Sequence, residues 1–197
     1  MQALLGVSRF IDATMTRIGR LVAWLIFAAV AVSTINALVR KIFDMSSNSW
    51  LELQWLLFGF VFLLCSPWTL LSNEHIRIDI INSRLPLRAR HIIDLLGHAL
   101  FLFPFALVMV MTSFPFAVRS IIENEQSSNA GGLPLWPAKT LVLIGFIALL
   151  IQSFSEFIKR IAIMRGDLQD TGSGGGHHAS AEAEAERLLA AAQAETR

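Results

Sequence analysis

Leu21-Val22-Ala23-Trp24-Leu25-Ile26-Phe27-Ala28-Ala29-Val30-Ala31-Val32-Ser33-Thr34-Ile35-Asn36-Ala37-Leu38-Val39 contains no Asp, Glu, Lys or Arg. A helix rises about 1.5 Å per residue and the hydrocarbon core of a bilayer is roughly 30 Å thick, so about 20 such residues cross it. Three more stretches of this kind follow, at 53–73, 95–118 and 140–155, and the last extends to 158 if Glu156 sits at the interface. In lipid every backbone N–H and C=O must be bonded within its own segment, so each stretch is expected to be a helix. Alternating apolar and polar segments of barrel type are absent from the sequence. The expected fold is an all-α integral membrane protein with four transmembrane helices and amphipathic interfacial segments.

Composition supports this reading. Of the 197 residues 54% are hydrophobic and 16% charged, with a mean hydropathy of +0.58. A soluble domain carries close to 25% charged residues, so this chain has too little polar surface to coat a globule in water. The net charge of +1 gives no case for a nucleic-acid partner. The single cysteine, Cys65, excludes an internal disulfide and any CxxC redox or zinc motif.

Basic residues set the expected orientation. Arg9, Arg17 and Arg20 precede the first span, Arg77, Arg84, Arg88 and Arg90 lie between the second and third, and Lys159, Arg160 and Arg165 follow the fourth. These ten face four on the other side, Arg40, Lys41, Arg119 and Lys139. Under the positive-inside rule both termini are expected in the cytoplasm. Trp50 and Trp136 fall at the outer ends of their spans, and Trp24 and Trp68 near the inner ends, as aromatic belts require.

Three of the segments outside the spans carry a readable pattern. Residues 1–20 place Leu4, Ile11, Met15 and Ile18 near one helical face, with Arg9 and Arg17 elsewhere. That pattern fits an interfacial helix feeding a retained first span rather than a cleaved signal, whose apolar region is shorter. In the inner loop, Glu74-His75-Ile76-Arg77-Ile78-Asp79-Ile80-Ile81 alternates like a strand, yet Ile76, Ile80 and Leu87 also share a helical face. Period alone does not decide between them, and Pro86 ends either element. The segment is expected to lie along the cytoplasmic interface with Arg84, Arg88 and Arg90 toward lipid phosphates; a solvated basic loop is the alternative. After Arg165 comes a flexible tail, 166–197, with Gly172-Ser173-Gly174-Gly175-Gly176 followed by an Ala/Glu-rich stretch that suits a short solvated helix or plain disorder.

Few polar groups enter the spans. Asn36 is within the first, Glu52 and Gln54 open the second, and Asp94 with His98 and Gln152 with Glu156 form i,i+4 pairs able to satisfy each other. An ion or proton route needs a chain of such groups across the midplane, and the sequence carries none. His98 has no second histidine at similar depth, which weakens the rival reading, a haem-binding or anchoring subunit of a membrane oxidoreductase. The serines and threonines in the spans have no His/Asp partner that would make a nucleophile. Pro67, Pro104 and Pro115 are placed to bend helices, and Pro137 suits a first helical turn. Substrate sites of secondary transporters use broken helices and inverted repeats, and no repeat is visible. The chain reads as an accessory subunit rather than an enzyme or a transporter by itself.

The ordered set Arg40, Trp50-Leu51-Glu52, Glu74-His75-Ile76-Arg77-Ile78-Asp79 and Pro86 resembles the small membrane subunit (DctQ-type) of TRAP transporters, the tripartite ATP-independent periplasmic transporters. The run Gly131-Gly132-Leu133-Pro134-Leu135-Trp136-Pro137-Ala138-Lys139 and Gly145 look like one branch of that family, and the resemblance covers about residues 10–165. Two positions depart from its pattern. Leu53 stands where a second acid usually follows Glu52, and Glu74 replaces a small residue. The resemblance implies two partners, a large membrane subunit holding substrate and sodium sites and a periplasmic substrate-binding protein. This chain would then be a scaffold for sodium-coupled uptake of an organic acid, with no cofactor of its own. Asn36, Arg40, Trp50, Glu52, Gln54 and Gln152 are the candidate subunit contacts. Glu74, His75, Arg77, Asp79, Arg84, Arg88 and Arg90 form the candidate interfacial segment.

Overall fold

The computed structural model describes residues 2–45, 47–72 and 86–168. Six α-helices follow in order: α1 Gln2–Ala23, α2 Leu25–Phe43, α3 Asn48–Leu71, α4 Leu87–Gly97, α5 Phe103–Ile122 and α6 Trp136–Arg165. A π-helical turn, His98–Leu102, joins α4 to α5. Four helical stretches are long and apolar enough to cross a membrane: Gln2–Phe43, Asn48–Leu71, His91–Ile122 and Trp136–Arg165. No strand forms among the described residues; the nearest thing is one antiparallel bridge, Gln126 to Pro134. The expected all-α, four-span membrane fold is what the chain adopts.

Local chemistry sets the ends of these helices. Asp44, in the left-handed region at φ 54°, stops α2, and Gly166 at φ 80° stops α6. Short polar side chains and glycine are the residues that tolerate that backbone. Pro137 occupies the first turn of α6, as the sequence suggests. Pro86, read from the sequence as an end, stands in extended backbone immediately before α4 and so opens the third helical stretch, which starts well ahead of the apolar run at 95. Pro104 explains the π turn. A proline cannot donate to the carbonyl four residues back, and its ring crowds that carbonyl, here Leu100 O. Lengthening the turn by one residue relieves the clash without breaking the helix. The expectations for the inner loop and for the tail fall on residues 73–85 and 169–197, which lie outside the described residues.

Helix α6 is the centre and packs against α5, α3 and α1, while α2 and α1 each lie against α3. The seams are made of small residues. Ala106, Ser113, Ala117 and Ser120 are the buried positions of α5, and Ala29 is the buried position of α2. Without a hydrophobic drive between helices in lipid, close approach of small side chains supplies the attraction. Large apolar residues go to the outside instead: Phe62 is 78% exposed and Phe101 75%. A water-soluble bundle would be packed the other way round.

Helix α1 is split from α2 at Trp24, where i→i+3 bonds (Trp24 N to Leu21 O, Phe27 N to Trp24 O) replace the regular ladder. Its Ser8 and Asp12 meet α6 near Ser155, and its Gly19 meets α3 at Cys65 and Trp68. Helix α1 therefore bridges the C-terminal halves of α3 and α6. Of the expected apolar face, Met15 is buried and Ile11 and Ile18 half-buried, while Leu4 stays exposed. The Gly19 position allows this. A Cβ there would come within 2.8 Å of Trp68 Cβ, so only glycine lets the two helices approach so closely.

Candidate functional site

Two polar sites hold the bundle, one at each end. At the loop end, Glu52 stands one turn into α3 and reaches the connection between α5 and α6. One carboxylate oxygen accepts from Ser127 Oγ at 2.5 Å and from Asn129 Nδ2 at 2.8 Å, while the other accepts from the Leu133 backbone N–H at 2.5 Å. Asn48 Nδ2 donates to Ala130 O at 3.0 Å and the Ser49 hydroxyl to Gly131 O, so three residues of one helical turn grip the same loop. Gly132 sits under the carboxylate, where a Cβ would fall 2.8 Å from Glu52 Oε1 and 2.5 Å from Ser127 Cβ. The loop is closed by its own backbone as well, through Leu135 N to Glu125 O and Ser127 N to Leu133 O. Lys139 adds a strap: it pairs with Glu125 and lies 4.1 Å over the Phe116 ring. The Lys139 ammonium holds the Glu125 carboxyl below the usual carboxylate range.

At the terminal end, Asp12 of α1 is the hub. Its Oδ1 accepts from Gln152 Nε2 and from Ser155 Oγ, both at 2.9 Å, and its Oδ2 pairs with Lys159 Nζ at 2.9 Å. Gln152 Nε2 also reaches Glu156 Oε1 at 3.1 Å, and Lys159 reaches the same oxygen at 2.5 Å. Ser155 has spent its proton on Asp12, so the 2.7 Å contact between Ser8 and Ser155 hydroxyls is donated by Ser8. Positions 152, 155, 156 and 159 share one face of α6, and 8, 12, 15 and 19 share one face of α1. Nearby, Arg160, only 3% exposed, pairs with Asp94 of α4 at 3.4 Å. Both sites are structural in their chemistry: fixed donors facing fixed acceptors, with no nucleophile beside a base, and at the terminal end the buried Gln152 Oε1 is left without a partner. Among the described residues no three His, Cys, Asp or Glu side chains gather closely enough to hold a metal ion.

The sequence candidates are distributed unevenly over this frame. Glu52 and Gln152 bond within the chain, and Gln152 is wholly buried. The i,i+4 bond from Gln152 to Glu156 forms, whereas His98 Nδ1 contacts the Asp94 backbone carbonyl at 2.6 Å and leaves the Asp94 carboxylate to Arg160. Asn36 and Gln54 are half-buried, and Arg40 and Trp50 are exposed. Arg88 and Arg90 belong to α4. Glu74, His75, Arg77, Asp79 and Arg84 lie outside the described residues. The sequence reading missed Asp12, Ser8, Ser155 and Lys159 as a group, and it did not single out Ser127 or Asn129 as partners of Glu52. One signal was available for Asp12: an acid on the face of α1 shared with Ser8, Met15 and Gly19 sits opposite the basic stripe and needs a donor.

Four helices long and apolar enough to cross a membrane, with the polar ties gathered at their two ends, define the chain as an integral membrane protein. Residues 29–162, more than half of the chain, match the family of tripartite ATP-independent periplasmic transporters, DctQ component. The chain belongs to that family, a transporter component and not an enzyme. No curated protein and no solved structure matches it. Membership makes it the small permease subunit of a multi-pass inner-membrane transporter whose other parts are a large membrane subunit and a binding protein.

Proposed function

We propose that this chain is the static scaffold of its transporter, widening and anchoring the large subunit while that subunit moves substrate and sodium. The observation that carries this reading is where the charge lies. Between Arg20 and Arg40, Glu52 and Ser72, Asp94 and Arg119, and Lys139 and Glu156 there is no Asp, Glu, Lys or Arg. An ion or a carboxylate crossing this chain would find no charged group to receive it. What the chain offers instead is a stiff frame, tied at both ends, with large exposed apolar side chains between them. Those faces suit lipid and the packing of a partner helix, and half-buried Asn36 and Gln54, with exposed Arg40 and Trp50, supply polar contacts for assembly. Both termini are cytoplasmic in this reading, and the substrate is an organic acid.

Mild solubilisation of the tagged chain from its native membrane, followed by mass spectrometry, tests the assignment. Recovery of a much larger multi-span protein, and loss of uptake when the chain is deleted, is the expected result. A chain that purifies alone, with uptake unchanged in its absence, sinks the scaffold reading. For the contact face, a cysteine placed at Asn36 in a Cys65→Ser background should cross-link to the large subunit, and a cysteine at Phe101 on the far helix provides the comparison. Equal yields at both would remove Asn36 from the interface.

A further inference from the structure

Glu52 has a capacity that the loop clasp leaves unused. Its three partners are a hydroxyl, an amide and a backbone N–H, all neutral. Asp12, Asp94, Glu123, Glu125 and Glu156 are each paired with a lysine or arginine. Glu52 has no cationic partner among the described residues. A carboxylate offers about four acceptor positions, so one remains open on the oxygen that holds only Leu133 N–H.

That carboxylate stands at the polar end of a cleft of about 390 Å³ between α3, α6 and the loop. Such a volume lies within the roughly 300–1,000 Å³ of small-ligand pockets. Ser127 and Asn129 share its polar end, and from there the walls are Leu56, Gly59 and Leu63 of α3 and Leu141 and Val142 of α6. Glu52 to Leu63 is about 16 Å along the helix. Gly59 leaves the floor open, since even a Cβ there would meet only Leu141 at 3.5 Å. Trp55, 66% exposed, forms the outer wall at the depth where indoles anchor in the membrane interface. The cleft is thus graded along the membrane normal: an uncompensated anion at the rim and an apolar trough beneath it. A bilayer amphiphile with a positively charged, proton-donating head has the matching gradient.

We propose that this cleft holds one aminophospholipid of the surrounding bilayer, its ammonium on Glu52 and one acyl chain along Gly59 between α3 and α6. The lipid completes the coordination of Glu52 and fills the seam that side chains leave open.

Phosphatidylethanolamine carrying a photoreactive diazirine in its acyl chain, mixed with the purified full chain in mild detergent, tests the site without any variant. Labelling should concentrate in residues 55–63 and 138–142. Labels spread evenly over the exposed faces of α2 and α5 would overturn the proposal. Native mass spectrometry then compares phosphatidylethanolamine with phosphatidylglycerol. Wild type should prefer the former, and Glu52→Gln should lower that preference about two- to fivefold, the range expected for one partly exposed ion pair. An unchanged preference would refute the head-group contact. Gly59→Phe, with helical content checked by circular dichroism, should abolish labelling of both stretches; persistent labelling counts against the trough. If labelling disappears when the chain is purified with its large subunit, the cleft receives that subunit and not a lipid.

Discussion

The two ends of the bundle are tied by different means. At the loop end a single carboxylate, Glu52, organises a turn through neutral donors, and all of the partners come from residues 127–133. At the terminal end two acids share one lysine, with Gln152 and two serines filling the remaining positions, and the partners come from α1 and α6, some 140 residues apart in the chain. The first fixes a loop and the second docks a helix. Charge is concentrated where the docked element, α1, buries mainly small side chains, Ser8 and Gly19 beside Met15. Hydrogen bonds to charged groups contribute more than neutral ones, and a partly buried set of them offsets the small apolar contact.

That contrast can be broken from either side. The largest effect is expected for Asp12→Ala, which strands Lys159, Gln152 and Ser155 without their acceptor. Removing one partner of a largely buried ion pair costs on the order of 2–4 kcal/mol. Thermal unfolding in detergent should fall accordingly, and trypsin should cut after Arg17 and Arg20 as α1 undocks. Trypsin resistance equal to wild type would mean that α1 is held by its apolar contacts. Gly19→Val tests those contacts with the charges left in place. It drives Cβ into Trp68 and should cost roughly 1–3 kcal/mol, as overpacking does; a neutral outcome would show that α1 shifts without loss.

Effects at the loop end are smaller and local. Glu52→Ala should speed exchange of the Leu133 amide by on the order of tenfold while leaving the buried amides of α6 unchanged. Accelerated exchange throughout α6 would mean that the clasp supports the bundle and not the loop alone. The smallest effect is the pH response of the Glu125–Lys139 strap. The folded chain holds the Glu125 carboxyl lower than the unfolded chain does, so the unfolded state takes up the proton first. The stabilisation is present above the ordinary carboxylate range, about pH 4.3, and is lost as the pH falls below it. Glu125→Gln should remove that acid dependence from the local exchange of the 123–135 loop, and an unaltered profile would assign it to another group.

Much of this architecture could be read in the sequence because lipid imposes a simple rule. A span free of Asp, Glu, Lys and Arg must be helical, so the four stretches, the helical class and the place of Pro137 followed from residue order alone. The order Arg40, Trp50-Leu51-Glu52 and the later Gly131–Lys139 run also pointed to the family that residues 29–162 match. Even Glu52 stood out, as an acid at the head of an apolar span. Its partners did not, since Ser127, Asn129 and Leu133 lie 75 to 81 residues away and look like ordinary turn residues. Only folding brought Asp12 to Lys159, made a fully buried group of Gln152, gave Asp94 to Arg160 rather than to His98, and opened a cleft beside Gly59. The physical reason is one of range. Transfer into lipid acts on each segment separately and is written in its composition, whereas a hydrogen bond or an ion pair depends on which side chains two helices bring within about 3 Å. The α1–α6 crossing and the grip of α3 on the 127–133 loop decide that, and neither has a local signature.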